Sequence, residues 1–149
     1  MHSNFNHLEK LRFTLILENL ENRSINPNLA FGVDNTVDYQ CQLNSGINEI
    51  IFDSTIYDSG NHFVFVSVAQ QNNNHNSFKI RDLKIHGVSV TYHLYQSVYY
   101  PCYDKNYHDE NPDILLEIPS GLYIGNDGIW KWFFDSPIYD NAKYKIGLW

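Results

Sequence analysis

"NDGIWKWFFDSPIY", residues 126–139, carries five aromatic side chains in fourteen positions. At a period of two, Trp130, Trp132 and Phe134 share one face, while Lys131, Phe133 and Asp135 share the other. Three large rings in a row either close a core or stand outside as a platform for a sugar or another protein. Closing the core is the reading adopted for this row, and it demands a second layer for the rings to pack against.

That layer is legible upstream. "LRFTLILEN" alternates Leu11, Phe13, Leu15 and Leu17 against Arg12, Thr14, Ile16 and Glu18. "NLAFGVDN" follows a turn at Pro27, and "VDYQCQL" sets Val37, Tyr39, Cys41 and Leu43 on one face. A turn at Ser45 and Gly46 leads into "INEIIFD". "DSGNH" then turns the chain into "FVFVSVAQ", where Phe63, Phe65 and Ser67 alternate with Val64, Val66 and Val68. "SFKIRDLKIHGVSVTYHLY" reads as two strands bent about Gly87, and "ILLEIPSGLYIG" and "KYKIGLW" as further strands. No stretch holds a capped run at period 3.6, so little helix is expected. Short strands separated by Gly, Asn, Asp and Pro predict an all-β fold, an antiparallel β-sandwich of the jelly-roll kind.

Residues 1–10 are polar and read as a flexible arm, with 11–149 as a single sandwich domain. "QQNNNHN", residues 70–76, reads as an exposed loop. "SVYYPCYDKNYHDENPD" is rich in Tyr, acids and Pro and predicts a long ordered loop. Within and beyond it, Tyr99, Tyr100, Tyr103, Tyr107 and the terminal Trp149 are the candidate contact residues, because rings with solvated polar tips favour binding surfaces.

A net charge of −7, with arginine only at 12, 23 and 81, argues against nucleic acid as the partner. Cys41 and Cys102 are read as two reduced thiols, since two cysteines make no disulfide framework. Neither a secretory signal nor a membrane-spanning run is legible, so synthesis in a cytoplasm is expected.

Enzymatic motifs are missing: there is no nucleophile elbow, zinc-protease helix, phosphate-binding glycine loop or CxxC pair. His75, His86, His93 and His108 lack metal-ligand spacing. A hard cation such as calcium suits "DKNYHDEN", where Asp104, Asn106, Asp109 and Glu110 share one loop, although the glycine and terminal glutamate of an EF-hand are missing. The same loop also reads as a solvated turn. Asp34, Asn35 and Asp38 form a second oxygen-rich cluster at an expected hairpin, where Asp and Asn serve as turn formers.

"FTLILEN", "FGVDN", the Gly46-Ile47-Asn48 turn, "IIFD", "GNHFVFV" and "DLKIHGVSV" together resemble small β-sandwich carbohydrate-binding modules of the calcium-dependent kind. The second half, with "VYYPCY" and "GNDGIWKWFFDSPIY", is similar to short virion-associated proteins of marine tailed bacteriophages. Asp127 departs from that pattern by separating Asn126 from Gly128, which implies a longer turn. The resemblance spans Leu11 to Trp149. It implies a non-catalytic virion structural protein, a capsid decoration or tail accessory, that contacts other virion proteins and copies of itself. The alternative it implies is a calcium-dependent glycan-binding module that attaches to host-surface polysaccharide.

Overall fold

A computed structural model describes residues 8–20, 28–69, 78–102, 109–113, 117–124 and 128–138. The protein is an antiparallel β-sandwich, as the alternating stretches predict. One sheet runs β10 (Tyr123–Ile124), β6 (Phe78–Ile85), β1 (Glu9–Asn19), β4 (Gly46–Ile56), with β7 (Val88–Ser89) also paired to β6. The other runs β3 (Thr36–Gln42), β2 (Asn28–Val33), β5 (Gly60–Ala69), β11 (Gly128–Ser136), β8 (Ser97–Pro101), β9 (Ile118–Pro119).

The first sheet is organised by β1, Glu9–Asn19, which pairs with β4, Gly46–Ile56, over its whole length and with β6, Phe78–Ile85, on its other side. Leu11, Phe13, Leu15 and Leu17 are at most 1% exposed, so the period-two face is the buried one. The strand starts earlier than the sequence suggests. Glu9 and Lys10, expected in the arm, pair with Ile56 and Thr55. The Glu9 carboxylate accepts from the Ser136 hydroxyl at 2.6 Å and from the Ile138 N–H at 2.8 Å. These bonds tie the start of the first strand to the end of the last.

The second sheet centres on β5, Gly60–Ala69, and β11, Gly128–Ser136, flanked by β2, Asn28–Val33, and β8, Ser97–Pro101. Trp130, Trp132 and Phe134 are 1%, 0% and 0% exposed. Phe134 lies 6.1 Å from Trp132 and 6.0 Å from Phe13 of the opposite sheet; Phe13 stacks on Phe52 at 5.4 Å, and Phe52 meets Phe31 at 5.9 Å. A chain of rings thus passes back and forth between the layers. Aromatic contacts at such separations add about 0.5–1.5 kcal/mol each beyond the area they bury.

Tight turns hold the register. Asp34 (φ 52°) and Asn35 (φ 68°) form the two-residue turn from β2 into β3, Thr36–Gln42, and both positive angles belong to the hairpin turn that Asn and Asp favour. His86 and Gly87 do the same between β6 and the short β7, Val88–Ser89. Gly32 sits opposite a bulge in β3, where Asp38 is the extra residue, and a Cβ on it would lie 1.8 Å from the Thr36 carbonyl oxygen, so no other residue fits. At the corner from β3 to β4, buried Asn48 accepts the Asn44 N–H at 2.9 Å and donates to the Asn44 and Gly46 carbonyls.

Two expectations need correction, and a third, the strands of "ILLEIPSGLYIG", holds. The stretch after Ser89 is no strand; Thr91–Gln96 is a 3-10 helix. Ser97–Pro101, expected in a long loop, is strand β8, paired to β11 from Pro101↔Gly128 to Ser97↔Trp132. The "ILLEIPSGLYIG" strands go to different sheets: β9, Ile118–Pro119, pairs with β8, and β10, Tyr123–Ile124, pairs with β6. The tract 70–76, the stretch "KYKIGLW" and residues 1–7 lie outside the described residues. Cys41 is half-buried and Cys102 exposed, and both are free thiols.

Candidate functional site

At one end of the sandwich the β2–β3 turn and the β4–β5 turn approach one another over a cleft of about 390 Å³. Asp34, Thr36 and Asp38 line it from one hairpin, and Asp53 and Thr55 from the end of β4. Tyr57 and Asp58 of the second turn complete the rim, and the Tyr57 ring is 66% exposed. The walls are therefore oxygen-rich, and a single flat ring stands free above them.

His62 closes the floor. It is the first inward position of the β5 row that continues with Val64, Val66 and Val68, and it is 9% exposed. Its Nδ1 meets the Asp34 carboxylate, and its Nε2 lies 2.7 Å from the Asp58 carbonyl oxygen. The other Asp34 oxygen accepts the Phe63 N–H at 3.1 Å, and the Asp34 N–H donates to the Phe63 carbonyl at 3.0 Å. Burial alone pulls the imidazole pKa down. The hydrogen bonds to Asp34 and Asp58, and the negative charge of both residues, more than reverse this and leave it above its ordinary value. On the outer rim Arg12 donates to Asp53 at 2.8 and 3.2 Å; those bonds, opposed by burial and aided by the charges of Arg12 and His86, hold the Asp53 carboxyl below its usual range.

The residues singled out from sequence are dispersed. Tyr99 is 2% exposed, on the inward face of β8 opposite Trp130, and is a core residue rather than a contact surface. Tyr100 points outward and is half-buried beneath the Lys131 ammonium, which lies 5.1 Å from its ring and 4.2 Å from the Phe63 ring. Asp109 and Glu110 are exposed. Tyr103, Asp104, Asn106, Tyr107 and Trp149 lie outside the described residues. Among the described residues no group of three or more His, Cys, Asp or Glu side chains could hold a metal ion. Asp34 and Asn35 act as turn formers, and Asp34 is further committed to His62.

The residues sequence reasoning passed over are His62, Tyr57 and Asp58. One signal was available for His62: an imidazole in register with buried valines must find polar partners inside the fold.

Comparison with known proteins bears on the fold. No family model matches the chain, and no curated protein does. Two solved structures are similar. One is the selenomethionine form of vCBM60, described among calcium-dependent carbohydrate-binding modules, with a TM-score of 0.56, 10% identity, and coverage of 82% of this chain and 89% of that one. The other is vCBM60 in complex with galactobiose, with a TM-score of 0.51, 11% identity, and coverage of 81% and 96%. The chain shares that β-sandwich fold. At such identity the likeness is one of architecture, and it does not carry over individual ligand contacts.

Proposed function

We propose that the protein is a non-catalytic binding domain that takes a glycan at the cleft between the β2–β3 and β4–β5 turns. The observation that carries this reading is the composition of the cleft: aspartate and threonine oxygens around one exposed ring, Tyr57, in a space of about 390 Å³. Carboxylates accept hydrogen bonds from sugar hydroxyls, and a flat ring stacks on the apolar face of a sugar. The volume falls within the range of small-ligand sites. The galactobiose complex of a similar sandwich supports the same class of ligand. Asp34 and His62, the pair general acid–base chemistry would draw on, are committed to each other and to backbone groups, which favours binding over turnover.

Calcium dependence is a property of the similar modules. Among the described residues no three His, Cys, Asp or Glu side chains gather to hold the ion, so the ligand contacts proposed are those of the protein's own side chains. Isothermal titration with a panel of oligosaccharides, run in calcium and again in chelator, tests the reading. Saturable binding that Tyr57→Ala abolishes is the expected result, and silence across the panel in both buffers defeats it.

A second reading is a virion structural role, in which the domain holds neighbouring copies or other virion proteins. One flank supports it. Strands β3 and β4 are each the end strand of their sheet among the described residues, and Val37, Tyr39, Ile47 and Ile51 on them are exposed. Open strand edges beside apolar side chains are templates for pairing with another chain. Mass in solution by light scattering tests this, and a monomer at high concentration counts against self-assembly.

A further inference from the structure

We propose that His62 is the positioning residue of the cleft and acts as an imidazolium, clasping the β2–β3 turn to the β4–β5 turn so that ligand capture follows its protonation. The inference rests on the cleft being the binding site, but the clasp itself stands on geometry alone. Both ring nitrogens face oxygens that only accept: a carboxylate of Asp34 at Nδ1 and a backbone carbonyl of Asp58 at Nε2. A neutral imidazole carries one N–H and one lone pair, so it can satisfy only one of these partners and must set its lone pair against the other. Only the doubly protonated ring satisfies both.

Each partner belongs to a different wall. Asp34 sits in the left-handed turn of the β2–β3 hairpin, and Asp58 lies in the connection that carries the chain from β4 in one sheet to β5 in the other. Asp34 keeps its two bonds to the Phe63 backbone whatever the charge on the ring, so loss of the Nε2 proton releases the Asp58 carbonyl and with it the β4–β5 wall from the floor. The surroundings favour the charged ring. Asp34 faces it from the hairpin and Asp58 from the second turn, while β11 contributes the uncharged Phe134 ring at 6.0 Å. Asp38 and Asp53 share the cleft from β3 and β4, and Arg12 is occupied by Asp53. Asp135 of β11 is held by Asn61, next to His62 in sequence.

The folded pKa lies above the ordinary value of about 6.5. The clasp is thus complete below that pH and opens as pH rises through the raised value. With one of two anchoring bonds gone, glycan affinity should weaken about three- to tenfold across the transition, the scale of a single hydrogen bond.

The test follows the His62 ring and the backbone amides of Asp34, Asn35, Asp58 and Ser59 by NMR during a pH titration of the intact protein. Glycan affinity is measured over the same range for the wild type and for His62→Gln, whose side-chain amide has an N–H for one partner only. Both ring protons visible at mildly acid pH, turn amides that shift with the ring's midpoint, and wild-type affinity that falls with it while H62Q stays flat are the expected results. A ring already neutral below about pH 6.5, or turn amides indifferent to its titration, overturns the clasp. Titrating turns with pH-independent affinity overturn its coupling to the ligand. Titrating turns with no glycan bound at any pH leave the clasp standing and defeat the glycan reading instead.

Discussion

Strand β11 and the pair of turns around the cleft are held by opposite means. In β11 the inward side chains Trp130, Trp132 and Phe134 are large rings with no exposed surface to speak of, and the strand is fixed by packing from two directions, β5 and β8 within its sheet and Phe13 across the core. The turns bury almost nothing apolar. They are fixed by a handful of directional bonds on one imidazole and one carboxylate. Packing is insensitive to pH and lost only on unfolding; a charged clasp can open while the sandwich stays intact. Rigidity therefore resides in the middle of the molecule and adjustability at the end where the cleft lies.

The sharpest way to break this contrast is to remove a ring. Phe134→Ala empties a site that touches Trp132, Phe13 and His62 together, and is expected to cost about 3–5 kcal/mol by chemical denaturation. A loss below about 1 kcal/mol would mean the core is not closed by the aromatic chain. Asp34→Asn acts on the other region. The carboxylate is 41% exposed on its side chain, so solvent screens the pair and a cost of about 1 kcal/mol is expected. Its signature is the pH profile. Because the His62 pKa is raised on folding, wild-type stability from this pair is present below about pH 6.5 and fades as pH rises through the folded value. The variant should lack that fall, and melting temperatures across the range decide it.

The same contrast governs what the sequence allowed one to see. Alternation at period two exposed the buried faces of β1, β5 and β11, because a strand in a sandwich is its own record of inside and outside. Leu43, Cys41 and Tyr39 share the face read for them, with Cys41 and Tyr39 paired to Leu29 and Phe31, yet exposure rises along it from 0% at Leu43 to 42% at Tyr39. The register shift at Asp38 then sets Val37 opposite Gly32, on the other face from the one its alternation predicts. Pattern reading failed where a residue serves either side of the surface. Tyr99 and Tyr100 are adjacent and chemically identical; pairing with Trp130 sends one inward, and nothing local says which. It failed again at Thr91–Gln96, rich in strand-favouring residues. There the Trp132 indole N–H donates to the His93 carbonyl at 3.0 Å and the Ser97 hydroxyl to the Leu94 carbonyl at 2.6 Å, stabilising the tight turn from outside. The clasp was least legible of all, because His62 and Asp34 lie 28 residues apart and meet only once both turns are folded.

Glu9 tests the boundary between the two regimes, since it is a directional bond placed where the packed strands begin and end. Glu9→Gln keeps one acceptor but loses the charge that draws Ser136 and the Ile138 N–H together. A cost of about 1 kcal/mol in a denaturant titration is expected. A neutral outcome would mean that residues 1–10 behave as the loose arm their composition suggests.

The smallest effect on stability is the most telling for function. Tyr57 is 66% exposed and stands clear of the aromatic core, so Tyr57→Ala should shift the unfolding midpoint by no more than about 0.5 kcal/mol. If the ring is the stacking anchor of a glycan site, the same change should weaken binding by about tenfold or more, the scale of an aromatic hot spot. Phe13→Ala, which removes a core ring packed on Phe52 and Phe134 rather than on His62, should do the reverse, lowering stability while leaving the affinity of the folded fraction nearly intact. A molecule in which one substitution moves stability alone and the other moves affinity alone has its rigid and adjustable regions where the structure places them. If Tyr57→Ala changes neither, the exposed ring is an ordinary solvated tyrosine, and the cleft loses the one feature that gives it a flat surface for a sugar.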